Sequence, residues 1–329
     1  MKQSIRNCQV VGTVSEINMS VQSAETELNG TKIKCDCITK TDFKNPSMTI
    51  EVNEKPIGVE FVRVYEKTLD KEKKNIVHNP RFDAMKTIIE KYVSKSKDAE
   101  NATRVKFDGQ IGLNEYVSDK GGQYDFKSNI QILGFNPCSR SNVPENDFAE
   151  AEISGIIKVI QPEVVNDEET GRLIVGFCCF DKDENLLPFS FIVEKDIADD
   201  FKNAYEVNDS CKLSIEIVTR HIGRVKSNDK MAFGRRQNNI VSGYDKTEYC
   251  IFSGEEVYEE GNEYYIDPKC IKEAKKKRDL MIEAMIQQKK EKASEKGAKK
   301  GGLKTRQAEM KSPVVEDEAP WDDDVGDLF

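Results

Sequence analysis

Histidine is almost missing from this chain: His78 and His221 are the two in 329 residues. There is one tryptophan, no Cys-x-x-Cys pair, and no apolar run approaching the roughly 20 residues of a membrane span. Each absence excludes something. Two histidines leave little for general acid–base work. The phosphate-binding P-loop, the serine nucleophile elbow and the His-Glu-x-x-His zinc helix do not occur. The nine cysteines, Cys8, Cys35, Cys37, Cys138, Cys178, Cys179, Cys211, Cys250 and Cys270, lack the tight paired spacing of zinc ligands, and their odd number argues against a disulfide scaffold. Acidic runs such as Asp167-Glu168-Glu169 and Asp199-Asp200 read as solvated turns and helix surfaces. The expectation is a binding protein and not an enzyme, with no cofactor, no metal and reduced thiols. Met1 to Arg6 lacks the apolar core of a signal peptide, so a cytoplasmic protein without membrane contact is expected.

Charge is plentiful but unevenly placed. Charged residues make up 33% of the chain, hydrophobic residues 37%, and mean hydropathy is −0.63. The net charge of −9 conceals three regions: +8 over residues 271–311, −7 over 314–329, and −10 in the rest. An acidic body disfavours indiscriminate duplex binding but permits a local basic groove, because a ligand responds to the field at its site.

The first 135 residues alternate like strands around one helix. Gln9 to Val14 reads as an opening strand, and Asn29-Gly30 marks a tight turn before Thr31 to Ile38. Ile57 to Tyr65 is a third strand. Phe82, Met85, Ile88, Ile89 and Tyr92 give a helix over 81–93, and Arg104 to Gly112 and Gln123 to Phe135 follow as strands. Five strands with a helix between the third and fourth is the order of the OB-fold, a five-stranded Greek-key barrel. The order then repeats after a Pro- and Ser-rich stretch: strands over 152–160, 172–180 and 186–193, a short helix over 197–205, then strands over 211–219 and 246–252. Glycine recurs inside the opening strand, as Gly12 and Gly155. Asp267-Pro268 opens a charged helix.

The expected fold is therefore mostly β with some α: a first OB-type barrel over 1–136, a linker over 137–147, a second barrel over 148–266, a charged helix over 267–292, and a disordered tail with an acidic tip over 293–329.

Binding single-stranded nucleic acid needs cations for phosphates and aromatic faces for bases. Arg63 lies between Phe61 and Tyr65 in the third strand, so a stacking row and a mixed core and rim are both open readings. Arg104 and Lys106 share the face away from Val105 and Phe107. Tyr116, Tyr124, Phe126 and Lys127 flank a glycine turn, and at least one of these aromatics belongs to a core. Between the last two strands of the second barrel the sequence turns basic, with Arg220, Arg224, Lys226, Lys230, Arg235 and Arg236 around Phe233, a loop that borders the oligonucleotide groove in OB-folds. At the C-terminus, Trp321, Asp322, Asp323, Asp324, Asp327, Leu328 and Phe329 combine an acid run with an apolar end, the composition of a docking peptide for a partner's basic-rimmed cleft.

That tail resembles the acidic tip of bacterial single-stranded DNA-binding proteins, with Val-Gly-Asp-Leu-Phe where those end in Ile-Pro-Phe. Through Gly109 to Tyr116, Glu169 to Leu173, Met231 to Gly234 and Asp267-Pro268, the chain also resembles phage-encoded single-stranded DNA-binding proteins with tandem OB-folds. The resemblance implies a protein that coats single-stranded DNA during phage replication or recombination in the bacterial host cytoplasm, and recruits replication or recombination proteins through the tip. RNA stays open as a ligand. The rival reading is a phage interaction adaptor with no direct DNA affinity.

Overall fold

Apolar side chains at every second position make β1 (Arg6–Asn18) a strand that buries Cys8, Val10 and Val14 on one face. The structure, a computed structural model, describes residues 3–120, 122–165, 167–226 and 239–300, with side chains described except at 42, 223–242 and 294–300. After β1 come β2 (Ser20–Leu28), β3 (Thr31–Thr39), β4 (Ser47–Val52) and β5 (Lys55–Phe61). Short strands β6 (Val64–Tyr65), β7 (Lys67–Leu69) and β8 (Ile76–His78) lead to helix α1 (Pro80–Lys91), then to the long hairpin of β9 (Arg104–Lys120) and β10 (Gln123–Gly134). The second half runs β11 (Phe148–Val165), β12 (Glu168–Phe180), β13 (Leu186–Val193), α2 (Ala198–Ala204), β14 (Ser210–Lys226), β15 (Asn239–Gly254) and α3 (Pro268–Lys300).

Two closed barrels result. The first is ordered β1-β4-β5-β10-β9 and closes through β9 on β1. The second is ordered β11-β12-β13-β15-β14 and closes through β14 on β11. In each the third and fifth strands run parallel, β5 beside β10 and β13 beside β15. This is the OB-fold twice. Phe61 meets Phe107 edge-on at 5.5 Å in the first core, and Phe189 stacks on Phe191 at 5.7 Å in the second. Helix α1, capped by the Asn79 side chain accepting from the Arg81 amide, seals the first barrel with Phe82, Met85 and Ile88.

The barrels join through their opening strands. β1 and β11 pair antiparallel, with Arg6 opposite Ile153, Cys8 opposite Ala151 and Val10 opposite Ala149. Both strands change register at a bulge, after Val14 and after Ile157. Two residues before each bulge stands a glycine whose added Cβ would run into a carbonyl, that of Glu51 for Gly12 and that of Cys178 for Gly155. Matching the bulges matches Cys8 with Ala151, and these two face each other, so a local two-fold axis passes between them. The recurring glycine is thus a steric requirement of one bend made twice.

Three expectations need correction. Thr31 to Ile38 is not the second barrel strand. As part of β3 it pairs with β2 and β6 in a separate three-stranded sheet, built from the β2–β3 hairpin inserted between barrel strands one and two and from β6, which follows barrel strand three. The true second strand, β4, turns into β5 through Asn53 and Glu54, both at positive φ (48° and 65°) with no glycine to announce the turn. The proposed strand over 57–65 ends at Phe61, and Tyr65 belongs to the inserted sheet. Helix α3 continues to Lys300, past the expected end at 292. Among the described residues no helix is long and apolar enough to cross a membrane.

Candidate nucleic-acid interface

The hairpin between the fourth and fifth strands of the first barrel carries the clearest aromatic–cation pair. Tyr116 on β9 stands opposite Lys127 on β10, and opposite residues of an antiparallel pair share a face. Tyr116 is 44% exposed, so a base has a ring to stack on beside a cation. The adjacent pair, Val117 and Phe126, points to the other face. There the guanidinium of Arg278 from α3 lies 5.9 Å from the Phe126 ring centre, so Phe126 is a seat for the helix. Tyr124 shares that face by alternation and is half-buried.

Phe61 is fully buried and cannot form a stacking row with Tyr65. Arg63 and Tyr65 instead line an open groove of about 810 Å³ on the inserted sheet, with Lys34, Cys35 and Phe43. The exposed Arg63 guanidinium donates to the Phe43 carbonyl at 3.2 Å, and Phe43 is 44% exposed at φ 56°, an uncommon backbone for a bulky residue. Nothing in the sequence pattern singles Phe43 out, because a left-handed phenylalanine has no local signature.

Several predicted phosphate ligands hold protein groups. Arg104 donates to the carbonyls of Pro144 and Glu145 and pairs with Asp147, fastening the segment between the barrels. Lys106 lies 3.7 Å from Asp108. Arg220 pairs with Glu194 and, through Nε at 2.9 Å, with Glu248. Arg172 joins the same cluster, 2.8 Å from Glu248 and 3.4 Å from both Glu163 and Glu194. Burial works against the Arg172 charge, but the hydrogen bond it donates to Glu248 and the nearby carboxylates outweigh it and hold its pKa above the ordinary arginine value. Glu194, Glu248 and Cys250 place their donor atoms within 4.8 Å of one another. The cations beside these carboxylates are the guanidinium groups of Arg172 and Arg220 and the Lys246 ammonium, and burial pushes the Cys250 thiol up to about 11, away from a ligating thiolate. The same desolvation lifts Cys8, Cys138, Cys178 and Cys211 to about 12.

The backbone of Arg224 and Lys226 extends β14 opposite Ser242 and Asn239. Their side chains lie outside the described residues, as do Phe233, Arg235 and Arg236 entirely. So does the acidic tip: Trp321, Asp322, Asp323, Asp324, Asp327, Leu328 and Phe329. The outward faces of the barrels are unlike a stacking platform. On β4 and β5 that face carries Ser47, Thr49, Glu51, Gly58 and Glu60. On the second barrel, Cys178, Phe180 and Leu186 face outward but are buried with Ile156 under Ile266, Ile271 and Ala274, the last two from α3.

The family model described as YorF matches residues 5–292. No curated protein matches the sequence. Among solved structures, the chain is similar to the wild-type single-stranded DNA binding protein from Thermus aquaticus, at 8% identity and a TM-score of 0.39, over 80% of this chain and 97% of that one. A deletion variant of that protein matches at 10% identity and a TM-score of 0.38, over 82% of this chain and 100% of the other.

Proposed function

The chain belongs to the YorF family, and we propose that it binds single-stranded DNA without chemical change, coating and protecting it during phage replication or recombination. The observation that carries this reading is positional. In both barrels, the hairpin between the fourth and fifth strands combines aromatic residues with cations: Tyr116 with Lys127 in the first, and in the sequence of the second Phe233 among Arg224, Lys226, Arg235 and Arg236. OB-folds take oligonucleotides beside this hairpin, and stacking with backbone cations is how single strands are held without base preference. In this reading residues 1–136 and 148–266 are two binding domains in the host cytoplasm, and the tip ending in Leu328-Phe329 recruits replication or recombination proteins.

One observation favours the rival adaptor reading. On the local two-fold axis an open groove of about 570 Å³ is lined by Phe135, Phe148 and Phe252 and by Asp108, Glu150 and Glu152. Phe135 and Phe252 follow the parallel pairs of the two barrels at equivalent positions and are 43% and 46% exposed. Exposed phenylalanines among carboxylates repel phosphate and suit a protein.

Gel shifts with single-stranded and duplex oligonucleotides separate the readings. Single-strand binding that weakens with salt is expected, and no binding of either leaves the adaptor. Within the first reading, Tyr116→Ala and Phe233→Ala each cost about 1–3 kcal/mol if they stack on bases. Deleting Phe329 barely changes DNA affinity and loses most of the partner capture. Capture that survives this deletion shows the tip to be a solubiliser.

A further inference from the structure

We propose that the outward face of α3 is a phosphate-binding surface, on which Lys269, Lys272 and Lys276, flanked by Lys275 and Lys277, hold the backbone of a bound single strand. The inference rests on the single-strand reading above and names where the charge is met.

The helix is fixed in place. Ile271 and Ala274 press on the outer side of β12 and β13, and Arg278, 9% exposed, donates to the Leu186 carbonyl of the second barrel at 2.9 Å and pairs with Glu115 of the first. α3 thereby covers part of the strand face that an OB-fold offers to an oligonucleotide. Whatever passes that side of the second barrel meets the helix instead.

Helical periodicity then decides what is met. With Ile271, Ala274 and Arg278 turned inward, Lys269, Lys272 and Lys276 stand on the opposite side and are exposed. At 1.5 Å per residue the row is about 10 Å long. Residues 269–278 hold six bases and one acid, Glu273, in a chain of net charge −9. Among the described residues, no carboxylate lies within ion-pair distance of Lys269, Lys272, Lys275, Lys276 or Lys277, whereas Arg104, Arg172, Lys212 and Arg220 are all engaged by acids. A cationic patch on an acidic body directs a polyanion to that patch. The +8 region of the sequence pointed to this charge, but only the packing of α3 shows which of its lysines face outward.

The test uses the full chain with Lys272→Gln, Lys275→Gln and Lys276→Gln combined, since glutamine keeps helix propensity, and a fluorescent oligothymidylate as probe. A control neutralises three exposed lysines elsewhere, Lys71, Lys73 and Lys97, by the same change. Three lost phosphate contacts lower the slope of log affinity against log salt by about 2, and weaken low-salt binding about tenfold or more. The control leaves both unchanged, and the unfolding temperatures of both variants match the parent. If the α3 variant binds with the parent's affinity and slope, the lysines are idle and the inference fails while the single-strand reading stands. If the control weakens binding equally, net charge and not this face is responsible, and the inference also fails. If the parent binds no single strand, reading and inference fall together.

Discussion

In the first barrel the connection between strands one and two grows into the β2–β3 hairpin, which β6 completes to a three-stranded sheet, and among the described residues no helix packs on the outer face of β4 and β5. In the second barrel the same connection is a plain hairpin of β11 and β12, while α3 covers the outer face and a cluster of three glutamates and two arginines fills the space beside it. The strand order, the bend glycine and the parallel third–fifth pairing are common to both. What is shared is therefore what closing the barrel demands, and what differs lies where a ligand or partner would approach.

Core truncations test the comparison most forcefully. Phe107→Ala in the first barrel and Phe189→Ala in the second each cost about 3–5 kcal/mol. Because β1 pairs with β11 along a continuous ten-stranded sheet, either change shifts one shared unfolding transition in urea. Two separated transitions would show that the junction does not couple the barrels.

The ion pairs come next. Glu248 has a side chain 6% exposed and serves both Arg172 and Arg220. Glu248→Ala removes the hydrogen-bonded partner of Arg172, whose guanidinium at 19% exposure keeps only Glu163 and Glu194 at 3.4 Å, and costs about 1–3 kcal/mol. On the first barrel, Glu51 pairs with Lys95 at 24% and 37% exposure, and Glu51→Ala costs about 1 kcal/mol or less. Equal losses in chemical denaturation would remove the distinction between a buried network on one barrel and a surface pair on the other.

The smallest effect at neutral pH concerns the thiols of both barrels. Cys8, Cys138, Cys178 and Cys211 rise from 9.0 to about 12 in the folded chain because burial penalises the thiolate. Between those values the folded state keeps protons that the unfolded state has lost. Stability is unaffected below about pH 9 and falls as pH rises above it, by up to about 1.4 kcal/mol per unit for each thiol. Alkylation at pH values below that onset labels Cys35 and Cys270, which are half-buried, ahead of the rest. Stability constant to high pH would contradict the assigned burial.

Much of the architecture was legible because barrel strands alternate. Leu186 to Val193 was read with its observed ends, and Asp267-Pro268 marked the start of α3. The errors have local physical causes. Thr31 to Ile38 alternates as well as any barrel strand, and its Asn29-Gly30 turn is a true hairpin (φ 50° and 74°), but alternation does not say which sheet a hairpin joins. β4 went unseen because Asn53-Glu54 turns without glycine. For the site, residue type located cations but not their partners. Arg104 and Arg220 look like phosphate ligands until Asp147 and Glu248 are brought to them across 43 and 28 residues of chain. Tyr116 and Lys127 could be named as candidates, but only the β9–β10 register put them on one face and Phe126 on the other.

The central claim is preference for unpaired strands, and competition tests it most directly. A complex of the full chain with labelled oligothymidylate is challenged with unlabelled single strand and, separately, with duplex of equal length. Displacement by the single strand at far lower concentration than by the duplex, in each case easier as salt rises, is the expected result. Equal displacement by duplex, or no complex to displace, contradicts the account.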